Sequence, residues 1–78
     1  MHKKSVMMHL MSISEKIKKR RLLLGIRQQD LADISGIGLR TIKEIETNKG
    51  NPSIQTLSKI LDVLGMELEV KIKQMSES

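Results

Sequence analysis

The chain has 78 residues, 38% of them hydrophobic, carries a formal net charge of +5, and contains no Phe, Tyr, Trp or Cys. That length makes one domain with a modest, purely aliphatic core; base-stacking platforms for single-stranded nucleic acid are disfavoured without aromatic faces. The lack of cysteine excludes disulfides, thiol catalysis and zinc fingers, and no apolar run approaches the ~18 residues of a membrane span or a signal-peptide core, so a cytoplasmic protein with no membrane partner is expected.

Residues 1–30 hold eight Lys or Arg against two acids, Glu15 and Asp30. That bias fits either a polyanionic partner or a solvated face. The first eleven residues, MHKKSVMMHLM, lack clear periodicity and read as a flexible arm, with Met as an adaptable gap-filler. His2 and His9 make a poor metal site, having two ligands and no nearby carboxylate; no metal or other cofactor is expected. A first helix is predicted from about Ser14 to Leu24, capped by Ser12 or Ser14 and favoured by Glu15 near its positive end. Ile13, Ile17 and Leu24 share a stripe with Arg21 among them, and Gly25 stops the helix. A second helix covers roughly Gln28 to Ser35 and ends at Gly36, and a third covers about Leu39 to Thr47, with Ile42 and Ile45 inward. The loop Asn48-Lys49-Gly50-Asn51-Pro52 is rich in turn-forming residues. Ser53 then caps a fourth helix whose buried face is Leu57, Ile60, Leu61 and Leu64, ended by Gly65.

The tail changes period. Met66, Leu68, Val70 and Ile72 alternate with Glu67, Glu69, Lys71 and Lys73, the pattern of a strand. A lone strand in a helical chain has nothing in its own subunit to pair with. If two copies pair antiparallel about Val70, Glu67 faces Lys73, Glu69 faces Lys71 and Leu68 faces Ile72. A parallel in-register pair would stack like charges. A homodimer held by such a ribbon is expected; the alternative is a strand that docks on its own helices or frays. The expected organisation is an arm over 1–11, a helical domain over 12–65, a dimerisation strand over 66–74 and a disordered tail over 75–78.

The span from Gln28 to Ile45 carries the strongest signal. Ala32 allows two helices to cross closely, Gly36 accepts the positive φ of a sharp turn, and Ile37, Ile42 and Ile45 anchor the third helix so that its other face can enter a major groove. Residues 12–64, in the segments SISEKIKKRRLLLGI, QQDLADISGIGLRTIKEIE and NKGNPS, resemble the Xre/Cro-type domain of lambdoid phage repressors. The resemblance implies an all-α, four-helix lambda-repressor-like fold. The continuation LSKILDVLGMELEV is closer in layout to HipB-type antitoxins, whose helical core is followed by a strand. That layout implies a dimer that represses its own operon and binds a partner toxin. Two departures weaken helix caps: Arg27 precedes the second helix and Gly38 the third, where Ser or Thr is common. A third places Glu44 where a basic or amide residue is common, and a carboxylate is unfavourable beside phosphates unless it accepts from cytosine or faces away.

Gln28 stands at a helix N-terminus, where the dipole attracts phosphate, and the resemblance implies a phosphate clamp there; otherwise it is a solvated polar residue. Leu39, Arg40, Lys43 and Glu44 form the exposed face of the third helix. Arg40 is the best candidate base reader, since its fork fits guanine O6 and N7, and Leu39 could meet a thymine methyl. Lys43 reads as a phosphate contact, and Thr41 as half-buried support. The resemblance implies backbone contacts for Asn48, Lys49 and Asn51, and a partly buried ion bridge between Arg21 and Glu46. Lys16, Lys18, Lys19 and Arg20 decorate the first helix. No Ser/His/Asp set, metal-ligand cluster or phosphate-binding glycine loop suggests an enzyme. The expected function is a repressor that binds an inverted-repeat operator in double-stranded DNA, autoregulatory as an antitoxin. The alternative is a module that sequesters a toxin, with DNA binding secondary.

Overall fold

The computed structural model describes residues 2–73, with side chains from residue 13 onward. Within that span four helices follow in order: α1 (His2–Leu23), α2 (Gln28–Ser35), α3 (Leu39–Glu46) and α4 (Ile54–Val63). Helix α2 packs against both α3 and α4, and α1 packs against α3. The all-α, four-helix expectation holds. The core is aliphatic throughout, built from Ile17, Leu31, Ala32, Ile42, Ile45, Ile60, Leu61 and Leu64. Each large side chain in that set contributes roughly 1.5–3 kcal/mol by leaving water.

Helix α1 begins far ahead of the expected start at Ser14, so the segment read as a flexible arm has helical backbone from His2. Nothing there breaks a helix: residues 2–23 contain no Gly or Pro and are rich in Lys, Met and Leu. Weak periodicity says what a helix can bury, not whether it can form. Ser14 therefore lies in mid-helix rather than at a cap.

The buried stripe of α1 also differs from the expected one. Ser14, Ile17 and Arg21 are buried, whereas Ile13 and Leu24 are exposed. Spacings of three and four put Ser14, Ile17 and Arg21 on one face. Only the middle residue is apolar, so apolar periodicity alone misplaces that face.

The helix ends follow local rules. Helices α1, α3 and α4 close with paired bonds of the Schellman type, Ile26 N to Arg21 O (3.2 Å), Lys49 N to Glu44 O (2.7 Å) and Met66 N to Leu61 O (2.8 Å). After α3 the residue beyond the cap is Asn48 with φ 59°, a conformation that Asn tolerates better than most residues. Helix α2 instead ends on Gly36, φ 77°, whose N–H bonds Ala32 O at 2.9 Å. This is the tight turn that swings the chain from α2 into α3.

Ser53 caps α4 as expected, its hydroxyl accepting from the Thr56 N–H. The missing side-chain cap at Arg27 is offset by Asp30, whose carboxylate accepts from the Arg27 N–H at 2.8 Å.

Among the described residues there is no strand. The strand expected over 66–74 is therefore not seen: residues 67–73 make no backbone hydrogen bond to other described residues, and a ladder requires a second strand alongside. Residue 74 and the tail expected over 75–78 lie outside the described residues. No described helix is long and apolar enough to cross a membrane.

Candidate nucleic-acid interface

Helix α3 is divided lengthwise. Ile42, Ile45 and Glu46 point into the domain, while Arg40 and Lys43 are exposed and Thr41 and Glu44 half-buried at the margin. Arg40, Lys43 and Glu44 lie at spacings of three and four, hence on one face. Leu39, expected on that face, is half-buried against the core. Only part of its side chain remains for a thymine methyl.

A buried polar network fixes the rotation of α3. Arg21 of α1 donates from Nε to Glu46 Oε2 at 2.7 Å and from Nη2 to Oε1 at 2.9 Å, a two-pronged bridge. Its third donor, Nη1, reaches Ile26 O at 3.0 Å, just beyond α1. The Glu46 hydrogen bond holds the Arg21 guanidinium above its ordinary pKa, so it stays a cation. Gln28 Nε2 donates to the same Glu46 Oε1 at 3.1 Å. The network thus joins α1, α3 and the first residue of α2.

That bond also bears on Gln28 itself. Its side-chain amide has two N–H donors, and one is engaged inside the protein. The other, with the positive end of the α2 dipole, remains to meet an anion.

The loop after α3 lies beside this face. Thr41, Glu44, Lys49, Gly50 and Asn51 line one hollow, so the structure brings Lys49 and Asn51 to the margin of α3. Asn48 sits behind them, its Oδ1 accepting from the Ser14 hydroxyl at 3.4 Å. It is a tether between the loop and α1 as well as a polar surface group.

Glu44 answers its apparent misfit among cations. Its Oε2 lies 3.6 Å from Arg40 Nε, one helical turn away. The Arg40 side chain is 92% exposed and that of Glu44 43%, so solvent screens the pair and it holds Arg40 weakly.

Sequence reasoning missed three contacts. Asp30 caps α2, and its pattern, an acid three residues after the cap position, was available. Hydrogen bonds from the Arg27 backbone and then its side chain hold the Asp30 carboxyl below the usual range. Arg20 is more than decoration, since its Nε donates to Leu64 O at 2.8 Å and ties α1 to the end of α4. The Ser14–Asn48 contact, like that of Arg20, spans distant parts of the chain and has no local signature. Among the described residues, no group of His, Cys, Asp or Glu could hold a metal; His2 and His9 fall outside the described side chains.

Comparison with known proteins agrees with this geometry. The helix-turn-helix family model matches residues 17–71. The SPbeta prophage-derived HTH-type transcriptional regulator YonR of Bacillus subtilis is 34% identical over 59 residues, covering 76% of this chain and 55% of that one. The cryptic phage CTXphi transcriptional repressor RstR of Vibrio cholerae is 32% identical over 59 residues, 76% of this chain and 53% of its own. An HTH-type transcriptional regulator of Haemophilus influenzae is 40% identical over 50 residues, 64% and 51% respectively. The chain spans about half the length of these relatives.

Proposed function

The chain belongs to the Xre/Cro-type helix-turn-helix family, and from that premise we propose that it binds double-stranded DNA sequence-specifically and represses transcription. The observation that carries the reading is the presentation of α3. Arg40 and Lys43 project outward while Ile42, Ile45 and the Arg21–Glu46 bridge fix the opposite face. A helix held this way can enter a major groove in one orientation.

In this reading Arg40 reads guanine, and Lys43 and Lys49 contact phosphate, with Gln28 clamping a phosphate at the start of α2. Asn48 and Asn51 border the backbone contacts, and the exposed part of Leu39 meets a thymine methyl. The Vibrio cholerae relative is by name a repressor, which supports the negative sign of regulation. A homodimer would set two α3 helices about 34 Å apart on an inverted repeat.

One observation favours a second reading, in which the chain is an antitoxin whose main act is to sequester a toxin. The Glu44 carboxylate sits on the face that would meet phosphates, and a protein partner would accept it more readily. Selection of bound duplexes from random DNA tests both. An enriched inverted repeat with half-sites about ten base pairs apart is expected. Background binding without enrichment would overturn sequence-specific recognition and favour the sequestering role.

A further inference from the structure

Helix α3 carries a carboxylate on the face it turns outward, and the chain makes room for it. Glu44 stands one turn after Arg40, its Oε2 3.6 Å from Arg40 Nε, a contact of opposite charges longer than a hydrogen bond. Gly50 also lies against it, with φ 75°; a Cβ there would come within 3.2 Å of Glu44 Oε1 and 3.7 Å of Glu44 Cβ. A glycine in that left-handed conformation lets the loop close over the Glu44 side chain. The Lys49 N–H, bonded to Glu44 O at 2.7 Å, fixes the loop against the end of α3. The carboxylate is thus placed beside both Arg40 and the loop, with 43% of the side chain open to solvent.

We infer that Arg40 and Glu44 read two neighbouring base pairs together, the guanidinium taking a guanine and the carboxylate the amino group of a cytosine beside it. The inference rests on the proposed entry of α3 into a major groove and gives that site its bases. Residues three or four apart on a recognition helix reach successive base pairs. Base pairs follow every ~3.4 Å along the duplex, close to the 3.6 Å between the two charged groups.

The chemistry of the groove edges singles out cytosine. An ionised carboxylate only accepts hydrogen bonds. Guanine O6 and N7 and thymine O4 also accept, so each would repel it, whereas cytosine N4 and adenine N6 donate. In adenine the donor lies beside the N7 acceptor, which suits the amide of Asn or Gln; on cytosine no acceptor shares that edge. Arg40 has the opposite character, with donors and no acceptor, and its fork fits the two acceptors of guanine. The pair therefore selects its bases by attraction and rejects the others by setting like groups against each other. A cytosine amino group also gives the carboxylate a donor in a groove whose phosphates would otherwise only repel it.

Selection of bound duplexes from random DNA, run on the parent chain, Glu44→Ala and Glu44→Gln, tests the inference. The parent should enrich half-sites in which a guanine and a cytosine are neighbours. Glu44→Ala should lose the cytosine preference and keep the guanine, and Glu44→Gln should exchange cytosine for adenine. On the parent's own operator, N4-methylcytosine at that position replaces one amino hydrogen by a methyl group, and the comparison needs no variant to fold. It should weaken binding roughly fivefold to a hundredfold. Four results would overturn the inference while leaving sequence-specific binding in place: an enriched site with no cytosine beside the guanine, a cytosine preference that survives in Glu44→Ala, a Glu44→Ala chain that relaxes every position alike, or a methylated operator bound as tightly as the plain one. The third would mean that Glu44 only holds α3 in place. A parent that enriches no sequence would overturn the proposed function, and the inference with it.

Discussion

Removing Arg21 while leaving Glu46 in place is the sharpest perturbation this structure offers. Both side chains are nearly shut off from solvent, 9% exposed for Arg21 and 2% for Glu46. In an Arg21→Met chain, Glu46 loses both guanidinium hydrogen bonds and keeps only the one from Gln28. Breaking one partner of a buried pair costs about 3–5 kcal/mol, because the remaining charge has neither water nor counter-ion. A domain of this size has roughly 4–12 kcal/mol in total. For a domain of 60–100 residues each kcal/mol moves Tm by about 4–8 °C, so a fall of at least roughly 12 °C is expected. Far-ultraviolet circular dichroism is the assay, since the chain has no Trp or Tyr to report by fluorescence. The double variant Arg21→Met/Glu46→Leu should recover most of the loss, because two apolar groups leave no charge stranded. A single variant melting within a few degrees of the parent would refute the reasoning. So would a double variant no better than the single, which would mean that packing rather than charge carries the effect.

Three further outcomes follow from the same geometry. Arg40→Ala should weaken binding to the selected operator by roughly 1–3 kcal/mol and relax preference at one base pair; equal weakening on all sequences in a mobility-shift series would make Arg40 a phosphate contact. Glu44→Gln removes a negative charge from the α3 face, so affinity for random duplex should rise and the ratio of operator to random binding should fall, measured at fixed salt. Unchanged random-duplex affinity would show that Glu44 faces away from the DNA. Asp30 has its carboxyl pKa lowered in the folded state by Arg27, so its cap is fully in force above the unfolded carboxylate range and is lost as pH falls through the folded value. Acid melts should therefore show a smaller low-pH loss for Asp30→Asn than for the parent chain.

The fold was legible where apolar spacing and punctuation coincide. Gly36, Ile42 and Ile45 gave the α2–α3 turn, and Ser53 with Leu57, Ile60, Leu61 and Leu64 gave α4, because both signals are local. Helix α1 was misjudged at its start and on its buried face. Its contact stripe is Ser14, Ile17 and Arg21, and polar residues are buried there only because Asn48 and Glu46 receive them from the far side of the domain. At the candidate interface, the exposure of Arg40 and Lys43 followed from helical spacing. The engagement of the Gln28 amide by Glu46, the partial burial of Leu39 and the Arg20–Leu64 bond depend on where elements pack, which no local pattern encodes.

Those long-range polar contacts also explain how so small an aliphatic core can present a helix in a fixed orientation. Aliphatic packing excludes water but is tolerant of direction, since a Leu or Ile side chain can settle in more than one arrangement. Hydrogen bonds are directional. Arg21 grips the last residue of α3 by a two-pronged bridge, Gln28 binds the same carboxylate from α2, and the Ser14 hydroxyl reaches Asn48 just past the helix. Every one of these contacts falls at the C-terminal end of α3, whereas the N-terminal end is held by Leu39 and Ile37 against the core. The helix is thus clamped at one end by geometry and at the other by burial, with Arg40 and Lys43 between the two. Weakening the clamp should loosen the orientation of those cations as well as destabilise the domain. An Arg21→Met chain kept below its melting temperature should therefore lose operator discrimination before it loses affinity for random duplex, because phosphate attraction survives a change of orientation that bidentate base contacts do not.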